Sequence, residues 1–103
     1  MKIIWLEVAQ LQLDAIYKFV AQQSEIAAAK VFNDIIDETD KLCIFPEMAA
    51  VEPLLQKEKY TYRSLVVRRN YKVIYRINKE TKEVIVASVW DCRRIPQKLK
   101  ISE

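Results

Sequence analysis

Residues 60–77 read Tyr60-Thr61-Tyr62-Arg63-Ser64-Leu65-Val66-Val67-Arg68-Arg69-Asn70-Tyr71-Lys72-Val73-Ile74-Tyr75-Arg76-Ile77. β-Branched and aromatic residues dominate this run, and arginine or lysine interrupts them at spacing two. That pattern predicts strands with one apolar and one cationic face. Val84–Asp91 is almost wholly apolar, which predicts a further strand buried on both faces. A turn over Arg68–Tyr71, where Asn70 tolerates positive φ, and a longer polar turn over Asn78–Lys82 would join three antiparallel strands.

Positive charge is concentrated in this half of the chain. Residues 1–56 carry four lysines against nine acids, whereas residues 57–103 carry thirteen Lys or Arg against five acids. We expect the cations of the sheet to form one shared patch that contains Arg63, Lys72, Arg76 and Arg93. Such a patch would suit an anionic partner, either a nucleic acid or an acidic protein segment.

The residues before the sheet predict one strand and two helices. Lys2–Leu6 alternates weakly and is read as a short opening strand. Val8–Gln22 is predicted to be an amphipathic helix, with an inward face made of Val8, Leu11, Ala15, Ile16, Phe19 and Val20. Ser24 is a good N-cap for a second helix that runs to about Leu42. Two helices separated by so short a break should form an antiparallel hairpin.

Cys43–Gln56 is predicted to cross from the helices to the sheet. Pro46 and Pro53 lie near its two ends, and proline fixes φ and removes a hydrogen-bond donor. We therefore expect an irregular segment without strand pairing. Its apolar residues are predicted to pack into the core: Phe45, Met48, Leu54 and Leu55.

Composition excludes several classes of protein. A chain of 103 residues predicts a single domain over 1–103. The chain has no histidine, and its two cysteines, Cys43 and Cys92, lack metal-ligand spacing, so neither a zinc site nor a His-based triad is expected. We expect no cofactor and no metal. No segment reads as a signal peptide or a membrane span, which predicts a cytoplasmic protein with reduced cysteines.

The order of these elements resembles the ParE/RelE superfamily of bacterial toxins from type II toxin–antitoxin modules. The resemblance spans essentially the whole chain, and no single motif is diagnostic. It is carried by Trp5 with Ala9 and Leu13, Ala28-Ala29, the run Leu42 through Phe45-Pro46-Glu47, Tyr62–Val66, Tyr71–Ile77 and Val89–Leu99. One departure is Met48-Ala49-Ala50, where the family would carry a glycine. The fold implied is α+β in the order β-α-α-β-β-β, with an N-terminal strand and an antiparallel α-hairpin packed on an antiparallel sheet.

The resemblance also implies a growth-inhibiting toxin that a cognate antitoxin neutralises in a hetero-oligomer. ParE-like members of the superfamily inhibit DNA gyrase, whereas RelE-like members cleave mRNA on the ribosome. In a RelE-like enzyme the residues carried over as catalytic would be Arg63, Lys72 and Arg93. In either branch, binding to the target would use Arg76, Arg93, Arg94 and Lys98.

The sequence favours the ParE branch. RNA cleavage needs an acid and a base as well as cations. RelE-like enzymes carry a tyrosine near the C-terminus, where this chain has Leu99, and a second strand lysine, where it has Leu65. Whether the chain is an enzyme therefore stays open, with mRNA cleavage as the alternative to gyrase inhibition. Two further alternatives are an inactive homologue that binds only the antitoxin and an adaptor that binds an acidic peptide.

Overall fold

The computed structural model describes residues 1–93, 101 and 103. Within this part of the chain, two helices pack on a five-stranded sheet of strand order β1-β5-β4-β3-β2. The elements are β1 (Lys2–Trp5), α1 (Glu7–Ala21), α2 (Glu25–Asp40), β2 (Ala50–Val51), β3 (Arg63–Val67), β4 (Tyr71–Asn78) and β5 (Glu83–Asp91). The predicted order and the α+β class are confirmed. The sheet is mixed, because β1 pairs parallel with β5 while the other pairs are antiparallel.

The sheet is covered on both faces. On the face toward the helices, Leu13 and Ile35 meet Val73 and Tyr75 in the larger core cluster. On the opposite face, which we call the back face, Leu55, Tyr62, Ile74 and Trp90 form a second cluster. As predicted, β5 is buried on both faces, since every residue from Val84 to Asp91 is buried. Most of the driving force for folding comes from this apolar burial.

The predicted inward face of α1 is only partly right. Ile16 is buried as expected, but the other buried positions are Ala9 and Leu13, while Leu11 and Phe19 are 61% and 51% exposed. The helix has apolar residues on two adjoining faces, so periodicity alone could not select the one that contacts the sheet. In α2 the prediction is confirmed: the Ser24 hydroxyl accepts a hydrogen bond from the Ala27 N–H at 3.0 Å.

The crossover between α2 and β3 differs from its prediction in strand pairing and in the burial of its apolar side chains. Ala50 and Val51 form β2, which pairs with Ser64 and Arg63 of β3, so the prediction of no strand pairing is wrong. Proline removes only its own donor, and neither of these positions is a proline. The predicted core packing is right for Leu55, which is 5% exposed. It is wrong for Phe45, Met48 and Leu54, which are 61%, 44% and 59% exposed.

Arginine and lysine occupy the positions of positive φ in the turns. Between β3 and β4, Arg68 and Arg69 adopt φ of 52° and 65°, and Lys82 adopts 57° before β5. Left-handed backbone favours glycine, but the chain contains none. Asn70 was the residue expected to take a positive φ, and it does not.

The side chain of Gln12 in α1 accepts hydrogen bonds from β5 where β5 no longer pairs with β1. β1 ends at Trp5, opposite Val86, so β5 loses its parallel neighbour beyond that point. The Gln12 side-chain oxygen accepts hydrogen bonds from the Val89 N–H and the Ser88 hydroxyl, each at 2.7 Å. The helix thereby supplies an acceptor for a buried strand donor, as buried backbone N–H groups require.

We expect Tyr75→Phe to lower the free energy of unfolding by about 1 kcal/mol, the usual net value of one hydrogen bond. The Tyr75 hydroxyl donates to the Pro46 carbonyl at 2.7 Å and ties the crossover to β4. Urea denaturation measures the loss, with Tyr60→Phe on the exposed side of the crossover as the control. An equal loss in both variants would show that the Pro46 contact has no special weight.

Candidate cation-lined site

An open cavity of about 640 Å³ lies where the end of β4 meets the start of β3 and the crossover. Strand pairing brings these segments together, because Arg63 is opposite Tyr75, next to Arg76. The cavity is mostly polar and is lined by Glu47, Tyr60, Thr61, Arg63, Arg76, Ile77, Asn78, Lys79 and Glu80. Two of the predicted site residues, Arg63 and Arg76, therefore line one space.

Arg76 projects on the back face of β4 and holds a carboxylate. Its Nε donates to both carboxylate oxygens of Glu103 at 3.0 Å, and its Nη2 donates to one of them at 2.9 Å. The Tyr62 hydroxyl also donates to Glu103. The guanidinium lies over the Tyr60 ring, 4.0 Å from its centroid. Four side chains thus form one charge-assisted cluster.

Charge and burial shift the pKa values of this cluster. Burial raises the pKa of Glu103, but its hydrogen bonds to Arg76 and Tyr62 and the charge of Arg76 lower it more, so the net shift is downward. The hydrogen bond to Glu103 raises the pKa of Arg76. Burial and the Glu103 carboxylate raise the pKa of Tyr62. The cluster is therefore a stable pair of opposite charges with a neutral phenol, and Tyr62 is not prepared to act as a base.

Arg63 serves the crossover from the other face of the sheet. Its Nη1 donates to the Ala49 carbonyl at 2.7 Å, just before β2. It lies on the same face of β3 as Leu65 and Val67, which belong to the larger core cluster between the sheet and the helices. Among the residues that the structure describes, no carboxylate forms an ion pair with Arg63, and its side chain is half-buried at the cavity wall.

Lys72 neutralises a buried acid on the back face. Its Nζ lies 2.5 Å from the Glu52 carboxylate, which is fully buried, and the Leu54 N–H donates to the other Glu52 oxygen at 2.8 Å. Burial raises the pKa of Glu52, but the bonds from Leu54 and Lys72 outweigh it and leave that pKa below its usual value. Burial also raises the pKa of the nearby Cys92 thiol, so this cysteine is not an activated nucleophile.

Arg93 follows β5 and lies at the far end of β4. Its guanidinium donates to both Asp91 carboxylate oxygens at 3.0 Å and to the Tyr71 hydroxyl at 3.0 Å. The hydrogen bond to Asp91 raises the pKa of Arg93, which keeps it charged. Tyr71 and Arg76 are five residues apart on one strand, which is roughly 17 Å at about 3.4 Å per residue. The predicted positions Arg94 and Lys98 lie outside the described residues.

The expectation of one shared cationic patch is therefore wrong. Successive strand residues point to opposite faces, so Arg63 faces the helix side while Lys72 and Arg76 face the back. Lys72 and Arg93 do not line the cavity that Arg63 and Arg76 share. The functional roles predicted for these residues stay predictions.

Three contributors to these clusters were not predicted from the sequence. They are Glu52, Tyr60 and Glu103, each distant in sequence from the cation that it contacts. A glutamate directly before Pro53, and tyrosines two residues apart before Arg63, are weak signals. Only the fold reveals their partners.

Among residues 1–93, 101 and 103, no three His, Cys, Asp or Glu side chains are grouped as metal ligands. Within the same residues, no helix is both long and apolar enough to cross a bilayer.

Comparison with known families and structures gives a consistent result. The family described as "ParE toxin of type II toxin-antitoxin system, parDE" matches residues 3–96. A solved structure described as "Chromosomal ParDE TA system from P. aeruginosa" has a similar fold, with a TM-score of 0.71 and 24% sequence identity over 88% of this chain and 95% of that chain. Curated protein sequences give no match.

Proposed function

The chain belongs to the ParE family of toxins from type II toxin–antitoxin systems, and from this premise we propose that it inhibits DNA gyrase in the cytoplasm. We further propose that a cognate antitoxin protein neutralises it in a hetero-oligomer. The observation that carries both proposals is the family match over residues 3–96.

The arrangement of cations supports a binding toxin over a nuclease. Cleavage of RNA would require Arg63, Lys72 and Arg93 to converge on one scissile phosphate, together with a base and an acid. Arg63 instead faces the helix side, and Lys72 is paired with Glu52 on the back face. Arg93 is paired with Asp91 beyond β5. Convergence would need two ion pairs to break and one strand to turn over.

Exposed apolar side chains support the proposal of a protein partner. On the outer side of the helices, Leu11 and Ile26 are 61% and 72% exposed. Aliphatic side chains that a monomer leaves in water are typical of surfaces that a partner covers. An antitoxin that binds the helices would bury them.

Expression without antitoxin tests the target. We expect growth arrest with induction of the DNA-damage response, and we expect the purified protein to inhibit supercoiling by gyrase. Charge reversal by Lys98→Glu together with Arg94→Glu should raise the concentration needed for half-inhibition at least about tenfold, because like charges at an interface cost affinity. The matched control is Lys30→Glu, which changes an exposed lysine of α2.

The same experiment separates the alternatives. Truncation of ribosome-bound mRNA, with supercoiling unaffected, would reverse the choice in favour of the mRNA-cleaving branch. In that branch Arg93→Ala should abolish cleavage while antitoxin binding survives. If neither gyrase nor translation responds and the antitoxin still binds, the chain is an inactive homologue.

A further inference from the structure

Arg76 and the two tyrosines beside it form a receptor for a carboxylate. The guanidinium offers Nε and Nη2 to Glu103 at 2.9–3.0 Å, and the Tyr62 hydroxyl donates to the same group. Tyr60 lies against the guanidinium plane at 4.0 Å. Arginine binds planar anions best in such a two-point, stacked geometry. The three groups are held by β4 and by the segment leading into β3, so they form a site whose geometry is fixed by the sheet.

An apolar surface adjoins the receptor on the back face. Ile101 packs against the second core cluster, which includes Leu55, Ile74 and Trp90. Ile101, two positions before the bound acid, thus makes the apolar contact, while the carboxylate of Glu103 makes the ionic contact with Arg76. The site therefore reads a pattern of two side chains, an apolar residue followed two positions later by a carboxylate.

The receptor has free space on its other side. Arg76 and Tyr60 also line the cavity of about 640 Å³, whose wall includes Arg63 and Lys79. Glu47 and Glu80 line the same wall, and Glu47 lies 3.9 Å from Lys79. Arg63, for which the described residues offer no carboxylate partner, would therefore favour one further negative charge close to the bound carboxylate. The room suits a longer peptide than the short segment that contains Glu103.

The contact with Glu103 is replaceable. The Arg76 side chain is 17% exposed and that of Glu103 is 12% exposed, so both charges lie near solvent. All contacts described for Glu103 involve its side-chain carboxylate, which any other carboxylate can reproduce. Unlike the carboxylate of the fully buried Glu52, that of Glu103 keeps some contact with solvent.

We propose that the site formed by Arg76, Tyr60 and Tyr62 binds an acidic peptide segment of a partner protein, with an apolar residue two positions before the bound carboxylate. In the absence of that partner, Ile101 and Glu103 occupy the site in cis and compete with it. This inference holds whichever molecule the toxin acts on, because it concerns how the back face recognises protein.

The probe is the peptide acetyl-Lys-Ile-Ser-Glu-amide, which copies residues 100–103 and carries one carboxylate. The Arg76 Nε–H resonance of the full chain reports occupancy by NMR. We expect Glu103→Gln to move this resonance, and the peptide to restore it in a saturable way. The affinity should be about tenfold tighter for Glu103→Gln than for the unaltered chain, the factor expected if the cis segment fills the site about nine-tenths of the time.

Matched variants isolate each part of the site. Added to Glu103→Gln, the substitution Arg76→Lys should weaken peptide binding at least about tenfold, because lysine cannot form the bidentate contact; there the Tyr62 ring resonances report binding. Lys79→Gln, which removes one charge from the same cavity, should change it less than about threefold, because exposed charges contribute little.

Three results would overturn the proposal. The first is failure of the peptide to restore the Arg76 resonance in a chain that keeps its dispersed spectrum. The second is equal binding of acetyl-Lys-Ile-Ser-Gln-amide, which lacks the carboxylate. The third is equal binding of acetyl-Lys-Ser-Ser-Glu-amide, which lacks the apolar residue.

Discussion

Replacement of Lys72 by methionine should lower the free energy of unfolding by about 3 kcal/mol at pH 7, within the range measured when one partner of a buried ion pair is removed. Glu52 is fully buried, and the substitution would leave its carboxyl group without its 2.5 Å partner. The expected loss lies at the low end of that range because Lys72 itself is 26% exposed. Chemical denaturation of the two proteins measures the difference.

In the Lys72→Met variant, the contribution of Glu52 to the free energy of unfolding should change with pH in the opposite direction from that in the unaltered chain. In the unaltered chain the pKa of Glu52 is lowered, so its contribution to stability is present above the unfolded-state pKa and lost as pH falls through the folded-state value. Without Lys72, burial, already the largest single influence, is opposed by fewer hydrogen bonds and charges and should raise that pKa. The difference in free energy of unfolding between the two proteins should therefore narrow as the pH falls, first through the raised folded-state pKa of the variant and then, below about 4, as the unaltered chain loses the contribution of Glu52.

Lys79→Met is the matched control for this prediction. Lys79 is 80% exposed and lies 3.9 Å from Glu47, so its loss should change stability by less than about 0.5 kcal/mol. If Lys72→Met were as mild as this control, Glu52 would not depend on Lys72 for its charge.

Replacement of Gln12 by methionine should cost about 2–3 kcal/mol, because it leaves two buried donors without their acceptor. Methionine keeps the length of the side chain and suits a helix, so the lost hydrogen bonds dominate. The donors are the Ser88 hydroxyl and the Val89 N–H, each 2.7 Å from Gln12. Thermal and urea unfolding would both report the loss.

A double-mutant cycle makes the Gln12 prediction specific. Ser88→Ala removes one donor and should cost about 1 kcal/mol on its own. The loss of stability in the double variant with Gln12→Met should be smaller than the sum of the two single losses, because both substitutions remove the same hydrogen bond. If the two losses were strictly additive, the hydrogen bond between Gln12 and Ser88 would not account for the effect of Gln12→Met.

Local patterns predicted the elements of this fold well. Strand alternation in 60–77 located β3 and β4 correctly, and the Ser24 cap located the start of α2. Both are decided by neighbours in sequence, through period-two geometry and one side-chain bond to the third residue on. The two-residue strand β2 has too little sequence to carry a pattern, so its pairing with β3 could not be foreseen.

The candidate site was harder to predict than the fold. The cations Arg63, Lys72, Arg76 and Arg93 were identified as a group, but their separation over two faces depends on pairing register. Their partners are remote in sequence: Glu52 lies twenty residues from Lys72, and Glu103 lies twenty-seven from Arg76. Charge periodicity gives no information on such pairs, because it describes one strand at a time.

The parallel pairing of β1 with β5 affects how the protein matures during synthesis. Lys2 lies opposite Glu83, so the first strand to be translated waits for the last before it can complete the sheet. Contacts so distant along the chain slow folding, since a long loop must close first. A nascent chain therefore has an unfinished sheet until β5 has been synthesised.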